Sequence, residues 1–263
     1  MRKPVASGVL CLLALCAMLA GACKQTQSEQ NDLAAMRKDI DELKAQQREM
    51  LEQIRDLRGE PQPKLISPAK SEREFDTGLG DNASAMKGNA RAKVAIIEFS
   101  DFQCTFCAQF VRETLPQLER DYVKTGKVRL AFHDLPLPVH PNAFRAAEAA
   151  RCAGEQGKFW EAHDRFFANQ QALNPNDWTQ HAQGLQLDVP KFTHCLEGGK
   201  YDDQIHRDVE EGKGLGIDGT PAFLIGVPSS DGQKVHVSKV LLGAESYETF
   251  KEAIDGLLAA PKK

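Results

Sequence analysis

The sequence predicts an α/β domain with a helical insertion, preceded by an N-terminal coiled-coil helix. Three observations carry that expectation. Apolar strand-like runs, Val94–Phe99 and Val128–Phe132, come before a helical block, and Ala222–Ile225 and Val235–Leu242 come after it, which implies one sheet split by an insertion. A seven-residue apolar repeat runs from Leu33 to Leu57. Cys104-Thr105-Phe106-Cys107 follows directly on Val94–Phe99 and its short connection, at a junction of strand and helix.

In chain order, Arg2 and Lys3, an apolar stretch from Val5 to Ala22 and small residues before Cys23 describe a bacterial export signal over residues 1–22. Leu19-Ala20-Gly21-Ala22-Cys23 resembles a lipobox, in which cleavage leaves Cys23 to carry lipid. Ala20 stands where a large aliphatic residue is usual, so ordinary cleavage after Ala22 is a competing reading, and a retained membrane helix is a third. Export also sets the redox compartment. Cys11 and Cys16 leave with the signal, while Cys104, Cys107, Cys152 and Cys195 remain besides Cys23, an even set in an oxidising envelope. Of three possible pairings, ring size favours Cys104–Cys107 with Cys152–Cys195, the second as a structural disulfide; two separate buried thiols at 152 and 195 are the alternative.

Residues 23–58 form the expected stalk. Leu33, Ile40, Gln47 and Ile54 take position a, and Met36, Leu43, Met50 and Leu57 position d. Asp32 and Asp39 at g would face Arg37 and Lys44 at e of a parallel partner. A lone helix of this length is marginal in water, which favours a homo-oligomer, dimer or trimer, through residues 30–58 over a solvated single-helix spacer. Residues 59–74, with Pro61, Pro63 and Pro68, read as an extended linker.

The head is expected over residues 75–260. Phe75 opens an edge strand, and after Val94–Phe99 a helix runs from Cys104 towards Thr125-Gly126. The insertion spans about residues 140–213, and Ser246–Leu258 is a closing helix. The whole chain carries a net charge of −4, and loss of Arg2 and Lys3 takes the mature form to −6; with no basic stripe, nucleic acid is excluded as a partner.

The chemistry lies in the C-x-x-C pair. A first cysteine at a helix start meets unpaired N–H groups and the positive end of the helix dipole, which stabilise a thiolate and make Cys104 the nucleophile. Cys107, one turn inside, is the more buried sulfur and resolves the mixed disulfide. A zinc site would need a second ligand pair, and none has the spacing, so no metal and no cofactor are expected. His133, His140 and His163 read as surface or satisfied-core histidines. Phe159, Trp160, Phe166 and Phe167 read as helix-packing core, while Phe102 and Phe106 stand beside the dithiol where apolar substrate segments would touch.

Glu98-Phe-Ser-Asp-Phe-Gln-Cys-Thr-Phe-Cys107, Ala146–Asp164 and Gly219-Thr-Pro-Ala-Phe223 together resemble the DsbA-like branch of the thioredoxin superfamily. The resemblance implies a thioredoxin fold and reversible disulfide exchange through Cys104 and Cys107. It places a buried acid at Glu98, able to accept or deliver a proton near Cys107, and a cis-proline turn at Thr220–Pro221 that exposes Thr220 backbone to an extended substrate. It further implies a periplasm-facing enzyme acting on exported proteins with thiols or disulfides, served by a membrane redox partner. Oxidase and isomerase stay open, because Thr105-Phe106 does not decide the direction. A non-catalytic, lipid-tethered thioredoxin-fold adaptor or chaperone is the competing class.

Overall fold

The computed structural model describes residues 73–76 and 85–260. The expected export signal, Cys23, the stalk and most of the linker lie outside the described residues. Residues 73 and 74, assigned to the linker from sequence, belong instead to a strand, β1 (Arg73–Asp76).

After β1 come β2 (Met86–Gly88), β3 (Val94–Ser100), α1 (Thr105–Glu113) and α2 (Leu115–Leu118), then a π-helical turn (Glu119–Val123) and β4 (Val128–Asp134). Five helices follow: α3 (Ala143–Gly154), α4 (Phe159–Ala168), α5 (Trp178–Gly184), α6 (Val189–Glu197) and α7 (Asp202–Leu215). A 3-10 turn (Gln170–Ala172) separates α4 from α5. The chain closes with β5 (Ala222–Pro228), β6 (Lys234–Leu242) and α8 (Tyr247–Ala259).

The six strands lie in the order β1-β6-β5-β3-β4-β2. β3 and β4 are parallel, and the other neighbours are antiparallel. This mixed sheet with an inserted helical block is the expected fold class. Every residue of β3 and β4 is buried, as the centre of a sheet covered on both faces requires. β2 escaped the sequence reading because three residues, Met86-Lys87-Gly88, carry no periodicity. The helix expected from Cys104 to Thr125 is also broken, since Pro116 enters at the start of α2 and the last turn opens to π geometry.

Alternation along β3 divides the core. Val94 and Ile96 pack with Phe110, Leu115, Phe223 and Phe250 under α1, α2 and α8. Ala95, Ile97 and Phe99 face the opposite way, with Ala222, Leu224, Val235 and Val237. The β5–β6 ladder slips one residue at Ile225/Gly226. Only glycine fits there, because a Cβ on Gly226 would stand 2.1 Å from the His236 carbonyl oxygen. Gly216, at φ 77°, ends α7 in the left-handed conformation.

The insertion has its own core of Ala146, Ala149, Ala150, Phe159, Phe166, Trp178 and Phe192, and this core reaches Phe102, Cys104 and Cys107. The dithiol therefore sits at the seam between sheet and insertion. No helix among the described residues is long and apolar enough to cross a membrane.

Candidate active site

Cys104 and Cys107 are both free thiols. Cys104 is the N-cap residue of α1, with extended backbone (φ −72°, ψ 123°) and no side-chain capping bond. Its sulfur is thus left over the open N–H groups of the first turn. Its amide donates to the Asp101 carbonyl at 3.0 Å, and its thiol donates to the Thr220 carbonyl at 3.3 Å. The Thr220–Pro221 bond is cis.

The two sulfurs are driven apart in acidity. Cys104 is lowered from 9.0 to about 6, first by the hydrogen bond from Cys107, then by the Thr220 side chain and the N–H groups of Cys107 and Phe106, all against burial. Cys107 is pushed well above 9.0, by burial and by the neighbouring Cys104 sulfur. Sequence reasoning gave the leading part to the helix start; the structure gives it to the partner thiol. Cys104 is 5% exposed against 0% for Cys107, so Cys107 is the more buried of the pair, as expected, and Cys104 is itself recessed.

Glu98 and Ser100 share the face of β3 that carries Val94 and Ile96, because side chains alternate along a strand, and that is the face covered by α1. Both Glu98 oxygens and the Ser100 hydroxyl are fully buried, and none makes a hydrogen bond of standard geometry. Burial raises Glu98 to about 7, with Ser100 pulling the other way. Ser100 also lowers Cys107 against the effect of burial, so the same hydroxyl acts on Glu98 and on Cys107. Ser100 was not singled out from sequence; its place two residues after Glu98 was the available signal.

Asp101 was missed as well. Its Oδ1 accepts from the Gln103 amide at 2.7 Å, and its Oδ2 accepts from the Leu137 amide at 2.8 Å and lies 2.7 Å from His140 Nδ1. This carboxylate ties the proline-rich loop after β4 to the segment entering Cys104. His140 is therefore a fastening for that loop.

Phe106 is 61% exposed beside the dithiol, while Phe102 is 1% exposed. Phe102 stacks on Phe132 and packs its ring against Phe166 and Phe167, so it is core and not a contact surface. Cys152 and Cys195 are joined by a disulfide between α3 and α6. His163 is buried among Phe102, Phe132, Trp160 and Phe167, with Nδ1 2.8 Å from Asp164 Oδ1.

His133, given no partner ligand by sequence spacing, meets Asp208 and Glu211, with ligand atoms within 4.8 Å of one another; among the described residues no other such group of three His, Cys, Asp or Glu occurs. Arg151 lies at 3.2 Å from Asp208 Oδ2 and 2.7 Å from Asp134 Oδ2. With that guanidinium already against Asp208, the cluster reads as a buried ion network linking α3, α7 and β4, in which removal of one partner would strand a charge.

Residues 81–256 match the family described as Thioredoxin. BdbD from Bacillus subtilis, in its oxidised form, superposes with a TM-score of 0.60 at 20% identity, covering 72% of this chain and 100% of that one. Alpha-DsbA1 from Wolbachia pipientis superposes with a TM-score of 0.58 at 24% identity, covering 66% and 89%. A curated relative, Na(+)/H(+) antiporter NhaA 3 of Salinispora tropica, is 38% identical over 141 residues, 53% of this chain and 21% of that protein. The chain thus spans about a fifth of that antiporter's length.

Proposed function

The chain belongs to the thioredoxin family, and on that premise we propose that it is an envelope thiol–disulfide oxidoreductase acting on exported proteins through Cys104 and Cys107. One observation carries the reading: two free, adjacent thiols of opposed acidity meet a cis-proline turn at the start of a helix.

The exchange balances without a cofactor. In the reducing direction, the Cys104 thiolate attacks one sulfur of a substrate disulfide, forming the mixed disulfide and releasing one substrate thiolate. Cys107 loses its proton and attacks the Cys104 sulfur, closing the Cys104–Cys107 disulfide and releasing the second substrate thiolate. The substrate gains two electrons and the dithiol loses two. Run backwards, the same steps oxidise a substrate dithiol. Glu98, held near 7 by burial, is suited to take the Cys107 proton and return it. Phe106 and the Thr220 backbone are the surfaces offered to an extended, partly apolar substrate.

The acidic Cys104 stabilises the dithiol relative to the disulfide, which favours an oxidase or isomerase over a reductant. In the oxidase role a membrane redox partner would remove the two electrons. Anchoring through Cys23 and assembly through residues 30–58 belong to the same proposal, resting on the export signal and heptads of the sequence.

Trapping tests this reading. Cys107→Ala is expected to accumulate covalent complexes with exported proteins that a reductant releases, and Cys104→Ser is expected to form none. Absence of any covalent partner for Cys107→Ala would favour the non-catalytic adaptor.

A further inference from the structure

We propose that Gln170, on the helical insertion, is a positioning residue for the Cys104 nucleophile, holding the peptide groups on either side of that sulfur through its side-chain amide. The proposal rests on the exchange reading above.

Gln170 Nε2 donates to two carbonyl oxygens, of Phe102 and of Cys104, each at 2.9 Å. These belong to the peptide planes that flank Gln103 and Cys104, so one amide group spans the bend that delivers the chain to α1. The N–H side of the same bend is held separately. Asp101 accepts from the Gln103 amide through its side chain and from the Cys104 amide through its carbonyl. Gln103 in turn accepts from the Asn142 amide through Oε1 at 2.6 Å, at the first turn of the insertion. With both sides tied, Cys104 has little freedom to leave the extended conformation that puts its sulfur over the first-turn N–H groups.

The tie is stiff at its far end too. Gln170 opens the short 3-10 turn, and the Ala172 carbonyl of that turn lies 2.6 Å from His181 Nε2. The His181 ring accepts from Arg165 Nε through Nδ1 at 3.0 Å. Gly184 leaves room for that guanidinium, since a Cβ there would stand 2.5 Å from Arg165 Nη2. A residue that served only to join the insertion to the sheet would not need to grip the two carbonyls around the reactive sulfur. Its loss would change stability and leave the thiol chemistry alone.

The test compares the reduced full chain with Gln170→Met, which keeps length and removes both donors, and with Gln170→Glu, which keeps shape but repels the carbonyls when ionised. The rate of iodoacetamide alkylation at Cys104, read by peptide mass across pH, reports its ionisation. A redox titration gives the Cys104/Cys107 potential, and thermal unfolding with an intact Cys152–Cys195 bridge reports folding. The proposal expects the Cys104 midpoint in Gln170→Met to rise by up to about one unit, the scale of one lost hydrogen bond, so that alkylation slows about twofold at pH 7 and up to about tenfold at pH 5, with the potential lowered. Gln170→Glu is expected to shift in the same direction, and it decides the matter if Gln170→Met does not fold. Variants that fold and titrate like the parent, or that lose stability with no change in midpoint or potential, overturn the role of Gln170. A parent chain whose own Cys104 titrates near 9 overturns the exchange reading instead, so the two failures are distinguishable.

Discussion

The thiol of Cys104 donates to the carbonyl oxygen of Thr220 across 3.3 Å, joining residues 116 positions apart. The Thr220 hydroxyl is buried with no partner of its own. When Cys104 ionises it stops donating, and this hydroxyl is the side-chain donor at hand for the thiolate. Thr220→Val keeps the branched shape and removes the donor. Its Cys104 midpoint is expected to rise by about one unit, near the lower end of a charge-assisted hydrogen bond. Alkylation of Cys104 followed by peptide mapping checks it, and an unchanged midpoint would remove the hydroxyl from the account.

Glu98 gives a pH-dependent stability of unusual sign. Its carboxyl is raised from 4.5 to about 7 in the folded chain, so the native state holds the proton more tightly than the unfolded state. Stability should therefore fall as pH rises from about 4.5 to about 7, by at most about 3 to 4 kcal/mol at 1.36 kcal/mol per unit. Glu98→Gln should flatten the denaturation curve across the window and be more stable than the parent at pH 8. It should also change the pH dependence with which Cys107 resolves mixed disulfides. A parent-like resolution profile would take Glu98 out of proton transfer.

Cys104 works in the opposite sense. Its value is depressed from 9.0 to about 6, so it stabilises the reduced protein above that range, and the contribution is lost as pH falls through about 6. At pH 7 this is worth roughly 1.4 kcal/mol, or about 30 mV for a two-electron couple. The oxidised form has no such thiolate. The gap in unfolding free energy between reduced and oxidised chains should move by this amount between pH 7 and pH 5, measured by urea denaturation of each form.

The Cys152–Cys195 bridge joins residues 43 positions apart. Replacing Cys152 and Cys195 together with Ala should cost about 4 kcal/mol on chain-entropy reasoning. Thermal unfolding of the double variant measures it, and a loss below about 1 kcal/mol would show that α3 and α6 pack without the bridge.

The central strands, the helical insertion and the C-x-x-C junction were legible because each is a local pattern: a long apolar run, a helical periodicity, a strand followed by a helix start. Glu98 was legible as an acid in an apolar strand, and Thr220–Pro221 only through resemblance, since an X–Pro bond does not announce its isomer. Gln170, Asp101 and Ser100 were not legible. Their importance lies in which carbonyl or thiol they meet after folding, and a Gln in a polar stretch looks like surface. The joining of His133, Asp208, Glu211 and Arg151 is of the same kind, four residues from three elements with no sequence spacing in common. The bond from the Cys104 thiol to the Thr220 carbonyl was likewise illegible, at a separation no local window spans.

The most direct measurement is the alkylation rate of Cys104 in the reduced full chain as a function of pH, with Cys107 followed in the same digests. Cys104 is expected to show a midpoint near 6, and Cys107 to hold its proton well above the usual thiol range. A Cys104 midpoint near 9, or two sulfurs that titrate alike, would contradict it.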